Sequence, residues 1–140
     1  MRNYISGFTL LELLVVVSIM SILGASAGIF YARFLTQSNV NLATDQLAGQ
    51  LRKAQIYAIE DKENTSWGVR YSANKITLFA TGNAAFDESF DVSSALSISG
   101  FTTLTYAKRT GIPDVTPTIT VSGNGQSKTV GVNGVGVVNK

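Results

Sequence analysis

The chain has no cysteine and no histidine among its 140 residues. Without cysteine there is neither a disulfide framework nor thiol chemistry. Without histidine the commonest metal ligand and the commonest general base are both missing. No pair of the remaining groups suggests catalysis, so the expectation is a protein that is not an enzyme and carries no cofactor. Proline is nearly absent as well: the first is Pro113, so no proline interrupts a helix before that point. Neither sign of charge dominates. Eleven basic and nine acidic residues give +2, too balanced to mark a nucleic-acid binder by charge alone.

Apolar residues make up 45% of the chain, unevenly spread. From Leu13 to Ala32, 20 consecutive residues carry no charge. At about 1.5 Å per residue a helix of that length spans roughly 30 Å, the thickness of a bilayer core. From about Asn64 onward the chain is rich in Thr, Ser, Gly and Val and reads as a soluble β-domain. The length has room for one domain plus an appendage.

The stretch "SGFTLLELLVVVSIMSILGASAGIF", Ser6 to Phe30, holds one carboxylate, Glu12, near its start. A charge at the centre of a bilayer costs roughly 2.5–3.5 kcal/mol on insertion scales, so its presence needs a reason. Three readings compete. In a secretory signal peptide, Arg2 is the basic region and Ala25-Ser26-Ala27 the small-x-small cut. Against this, the apolar run continues past the cut through "GIFYARFL". In a plain membrane anchor, Glu12 lies in the first helical turn, where the positive end of the helix dipole favours an acid. That explains its position but not the sequence "GFTLLE". In the third reading the chain is cut between Gly7 and Phe8. The cut frees an α-amine on Phe8, and Phe8 and Glu12 stand i and i+4, on one helix face. The carboxylate then has a cationic partner in its own chain or a neighbour's, and pairing makes a charge tolerable in lipid or in a helical bundle.

The segment "GFTLLELLVVVSIMSIL" resembles the prepilin signal of type IV pilins and of the pseudopilins of type II secretion. The resemblance implies a leader, Met1 to Gly7, removed after Gly7 by a prepilin peptidase. It also implies methylation of the Phe8 amine and a role for Glu12 in assembly with neighbouring subunits. The match of Gly, Phe, Thr, Leu and Glu in register, followed by an unbroken apolar run, is specific.

The helix is expected to continue beyond the lipid. Val40, Ala43, Leu47, Leu51, Ala54 and Ala58 recur at spacings of three and four, and the other face carries Asn41, Thr44, Asp45, Gln50, Arg52 and Lys53. One helix from about Phe8 to about Asp61 would run roughly 80 Å, the long spine helix of the pilin family. Many family members carry a proline in the first half of this helix. Here "LGASAGIF" has none, and Gly24 and Gly28 form a G-x-x-x-G pair instead. The pair reads either as a helix-packing site between subunits or as the small residues ordinary in membrane helices.

After Asn64 the periodicity falls to two. "WGVRY", with Trp67, Val69 and Tyr71 on one face, and "KITLF" make a hairpin across "SAN". "SALSISGF" and "TLTYA" give two weaker strands. "TPTITVSG" and "NGQSKTVGV" form a hairpin around Asn124-Gly125, and Asn133-Gly134 gives another short-turn signal. "TGNAAFDES" and "KRTGIPDVTP" read as breaks in regularity. Trp67 reads as core against the helix and Lys108-Arg109 as a solvated turn.

The fold class expected is α+β: a long N-terminal spine helix, its first half membrane-spanning, packed on a small antiparallel β-domain. The divisions are a leader at 1–7, a transmembrane or filament-core half at 8–34, an amphipathic half at 35–62 and the β-domain at 63–140. The run "LAGQLRKAQIYAI" resembles the start of the domain in H-type minor pseudopilins and FimT-like minor pilins, which implies a minor subunit of a pilus or secretion filament. The major pilin of the filament is the alternative within the family. A membrane-anchored binding module that forms no filament is the alternative outside it. FimT-like proteins can bind DNA through an arginine-rich tail, but after Arg109 this chain offers only Lys128 and Lys140, and affinity scales with the phosphates neutralised. Asp87, Glu88 and Asp91 in "FDESFD" are oxygen ligands of the kind calcium prefers, but without a fixed ligand spacing a solvated acidic loop is the simpler reading, and no metal is expected. The partners implied are other pilin or pseudopilin subunits, the prepilin peptidase and the cytoplasmic membrane. The β-domain would lie outside that membrane before incorporation into a pilus or pseudopilus.

Overall fold

A computed structural model describes residues 8–140, apart from the side chains of Ser26, Ala27 and Ile29. The expected leader, with Gly7 at its end, lies outside the described residues. Helix α1 covers Leu10–Ile59, close to the expected span at both ends. The chain divides into two compact units, one ending at Leu35 and one from Thr36 to Lys140, and each is described separately.

In the unit from Thr36, α1 supplies the central stripe of the core. Val40, Leu47, Ala48, Leu51, Ala54 and Ala58 are fully buried, with Ala43 nearly so, and burying a leucine side chain is worth about 1.5–3 kcal/mol. Thr44 belongs to this stripe and not to the polar face expected for it: it is buried, and its hydroxyl donates to the Val40 carbonyl at 2.6 Å. A threonine that satisfies its hydroxyl one turn back presents only a methyl to the core. Beyond Ile59 the chain turns at Asp61, which is left-handed at φ 53°. The Arg109 amide donates to the Ala58 carbonyl at 2.6 Å, and its guanidinium pairs with Asp61 at 2.7 Å. The Lys108 ammonium donates to the Asn64 side chain at 2.9 Å. Lys108-Arg109 is therefore exposed, as expected, yet it also fastens the helix end.

Eight strands follow: β1 (Trp67–Ser72), β2 (Lys75–Ala80), β3 (Asn83–Asp91), β4 (Ser97–Ser99), β5 (Thr103–Tyr106), β6 (Thr118–Gly123), β7 (Gln126–Val132) and β8 (Val138–Asn139). They form two antiparallel sheets, ordered β3-β2-β1-β5 and β4-β6-β7-β8. Trp67, Val69, Ile76, Leu78, Leu104 and Tyr106 line the core from the first sheet, and Ile119, Val121, Val130 and Val138 from the second. The Trp67 ring meets Tyr57 of α1 edge-on at 4.9 Å, and its indole N–H donates to the Lys62 carbonyl at 2.9 Å. Trp67 is core against the helix, as its place in an alternating strand indicated.

One segment departs from the expected pattern. "TGNAAFDES" is not a break: most of it lies in β3, the longest strand, which sits at a sheet edge. Its acids and small residues hide the strand pattern, and charge is how an edge strand is kept from pairing with a second chain. Around Asn133-Gly134 the expected hairpin is present, with the Asn133 carbonyl accepting from the Gly136 amide at 2.8 Å. Pairing between β7 and β8 closes at Val132 and Val138, leaving a longer loop in which the Asn133 carbonyl oxygen Oδ1 accepts from the amides of Val135 at 3.1 Å and Val137 at 2.8 Å. Around Asn124-Gly125 the expected turn is present, with Gly123 paired to Gln126 and both turn residues left-handed at φ 43° and 78°.

The last segment is strapped along α1. The Gln55 amide donates to the carbonyls of Val135 at 2.9 Å and Gly111 at 3.3 Å, and Arg52 donates to the Val138 carbonyl at 3.1 Å. The Lys140 ammonium pairs with Asp45 at 2.6 Å. Gly136, at φ 84°, lets this strap lie close, because a Cβ there would meet the Gln55 amide and the Gly111 carbonyl.

Candidate functional site

Of the residues singled out from the sequence, Phe8 and Glu12 lie at the start of α1, Gly24 and Gly28 farther along it, and Asp87, Glu88 and Asp91 in β3. Thr9 is the N-cap: its hydroxyl accepts from the Glu12 amide at 3.2 Å, and its carbonyl accepts from the Leu13 amide at 3.2 Å. With a cap residue followed three positions later by a glutamate, "TLLE" has the form of a capping box. Phe8 occupies the position before the cap and lines one apolar hollow with Leu13, Val16 and Val17. That is the placement of a hydrophobic staple, in which the residue before the cap packs against the fourth residue of the helix. Both features were written in the sequence as T-x-x-E flanked by Phe and Leu, and the reading of Glu12 as a dipole partner missed the hydroxyl that fixes it.

The cap also alters one expectation. Phe8 lies outside the helix, because Thr9 terminates it, so the four-residue spacing does not by itself put Phe8 and Glu12 on a shared helical face. Glu12 is exposed, and its carboxylate has no side-chain partner among the described residues. Downstream to Leu35 no residue with a described side chain is buried within its own chain: Leu13 is 61% exposed and Met20 68%. This stretch is long and apolar enough to cross a membrane. Ser18 and Ser21 do not need water, since their hydroxyls donate to the carbonyls of Leu14 and Val17, each at 2.8 Å. Gly24 and Gly28 are both exposed, with open space where a Cβ would project.

The acidic group in the other unit is arranged differently from a cation cage. Along β3, Asp87 pairs with Arg70 at 2.6 Å, Glu88 with Lys53 at 2.6 Å and Asp91 with Lys75 at 3.4 Å. Each carboxylate has its own cation, and no cluster of three potential ligands is present among the described residues. The hydrogen bond to Glu88 holds the Lys53 ammonium above its ordinary pKa, and the hydrogen bond and charge of Lys140 hold the Asp45 carboxyl below its own. Burial pushes the Tyr106 phenol up to about 12, and its hydroxyl has no hydrogen-bond partner.

Residues 2–28 match the family model of the prokaryotic N-terminal methylation motif. The matched stretch takes in Phe8, the Thr9 cap, Glu12, Gly24 and Gly28, and it indicates a type IV pilin-like prepilin signal. Comparison with curated proteins gives no match, and comparison with solved structures gives none. The α+β architecture, one long N-terminal helix with small antiparallel sheets, is consistent with a pilin fold. The motif implies processing by a prepilin peptidase and assembly with other pilin subunits.

Proposed function

We propose that this protein is a minor subunit, pilin or pseudopilin, of a type IV pilus-like or type II secretion filament. The leader is removed between Gly7 and Phe8, and the new amine of Phe8 is methylated. The apolar half of α1 holds the subunit in the cytoplasmic membrane with the β-domain outside. Assembly then moves that half from lipid into a bundle of like helices. Glu12 makes the exchange favourable, because a carboxylate unpaired in an apolar surrounding gains the ammonium of a neighbouring N-terminus. Gly24 and Gly28 give the neighbouring helices room to approach.

The observation that carries this reading is a conjunction: a methylation motif over residues 2–28 meets an apolar helix stretch none of whose described side chains before Leu35 is buried in its own chain. The H-type minor assignment draws on "LAGQLRKAQIYAI" leading from the helix into an all-β region. The test is Glu12→Ala in cells that carry the filament machinery. Processing of the variant should proceed while its recovery in sheared filaments falls at least tenfold. Recovery of the variant at the unchanged level would overturn the role given to Glu12, and absence of the unsubstituted protein from sheared filaments would instead favour a membrane-anchored module that forms no filament.

A further inference from the structure

The sequence contains two Asn-Gly pairs, Asn124-Gly125 and Asn133-Gly134, and the structure treats them oppositely. We infer that Asn124 is a spontaneous modification site of this protein, converting to aspartate and isoaspartate, and that Asn133 is protected by the loop it organises. The chemistry requires only water. The backbone nitrogen of the following glycine attacks the asparagine Cγ, a C–N bond forms, and the Cγ–Nδ2 bond breaks. Ammonia leaves with the proton from the glycine nitrogen, giving a cyclic imide. Water then opens the ring at either carbonyl, adding one carboxylate to the chain. Opening at the backbone carbonyl carries the main chain through the side chain and lengthens it by one methylene.

Attack needs an accessible glycine nitrogen and an asparagine side chain free to rotate toward it. Asn124 offers both. It stands exposed at the tip of the β6–β7 hairpin, its side chain makes no hydrogen bond among the described residues, and space is open around Gly125. At Asn133 the same rotation must break two hydrogen bonds, from the amides of Val135 and Val137 to its Oδ1. Its backbone is held as well: the amide donates to the Val137 carbonyl at 3.1 Å, and the carbonyl accepts from the Gly136 amide at 2.8 Å. Conversion at Asn124 would place a new negative charge beside Gly123–Gln126. The isoaspartate form would disturb a turn whose two residues fix the β6–β7 register.

The purified full chain, folded in detergent and incubated at mildly alkaline pH in ¹⁸O-labelled water, provides the test. Peptide mass mapping reads the label at each asparagine, and a parallel sample is kept in guanidinium chloride. In the folded chain Asn124 should convert faster than Asn133 by about tenfold or more, the factor expected from breaking two hydrogen bonds. In denaturant the two rates should come within about twofold, since both pairs have the same local chemistry. Equal rates in the folded chain, faster conversion at Asn133, a preference that survives denaturant, or no conversion at Asn124 while the denatured sample reacts would each overturn the inference.

Discussion

Helix α1 is one element with two opposite surroundings. From Val40 onward its apolar residues at three- and four-residue spacing are buried by strands of the same chain. Before Leu35 its described apolar residues are exposed, with Leu13, Leu14, Ile19, Met20 and Leu23 all more than half uncovered. The second part is amphipathic because one face must meet water. The first carries no charge from Leu13 to Ala32 and is long and apolar enough to cross a membrane. A single helix can thus be covered by its own domain over one stretch and leave its apolar surface uncovered over the next.

Substitution of matched leucines gives the sharpest contrast between the two parts. Leu51→Ala should cost about 2–5 kcal/mol by leaving a cavity in the packed unit, whereas Leu14→Ala should leave unfolding of that unit unchanged within about 0.5 kcal/mol. Denaturant midpoints of the full chain in detergent measure both. A similar loss from the two variants would mean that the first part of the helix also packs on its own domain.

A smaller effect is expected at the helix start. Thr9→Val keeps the shape of the side chain but removes the acceptor for the Glu12 amide, at a cost of about 1 kcal/mol to the first turn. Amide exchange at Leu11 to Leu13 should accelerate roughly fivefold, with Thr9→Ser restoring protection. The midpoint of the domain transition should not move.

Tyr106 should respond least, and in the opposite direction. Its hydroxyl is buried without a partner, so Tyr106→Phe should leave stability unchanged or raise it by up to about 1 kcal/mol. Because burial raises the phenol from 10.0 to about 12, the folded state holds its proton where the unfolded chain has released it. That contribution is complete below pH 10 and is lost as pH rises toward about 12. The alkaline fall in stability should therefore be shallower in Tyr106→Phe, as urea titrations at stepped pH would show.

Much of this was legible in the chain itself. The uncharged run, the 3–4 spacing from Val40 to Ala58 and the alternation around Trp67, Val69 and Tyr71 each report one strong periodicity, and the structure follows them. The parts that were not legible depend on tertiary pairing. Strand β3 reads as a polar break because an edge strand has little apolar content to display, and its acids face Arg70, Lys53 and Lys75 from other elements. The hairpin at Asn133 was legible as a turn signal but its width was not, because the Val132–Val138 pairing sets where the two strands meet. Thr44 changed faces because its hydroxyl can be satisfied by its own helix. At the N-terminus the capping box is present in four letters, "TLLE", in which the Thr9 hydroxyl binds the Glu12 amide.

The most direct test is the intact mass and N-terminal sequence of the protein extracted from its native membrane. A chain that begins at Phe8 and is heavier by one methyl group is the expected result, and it would tie the exposed half of α1 to the prepilin pathway. A chain that begins at Met1, uncut, or at Gly28, after removal of a secretory signal, would contradict it.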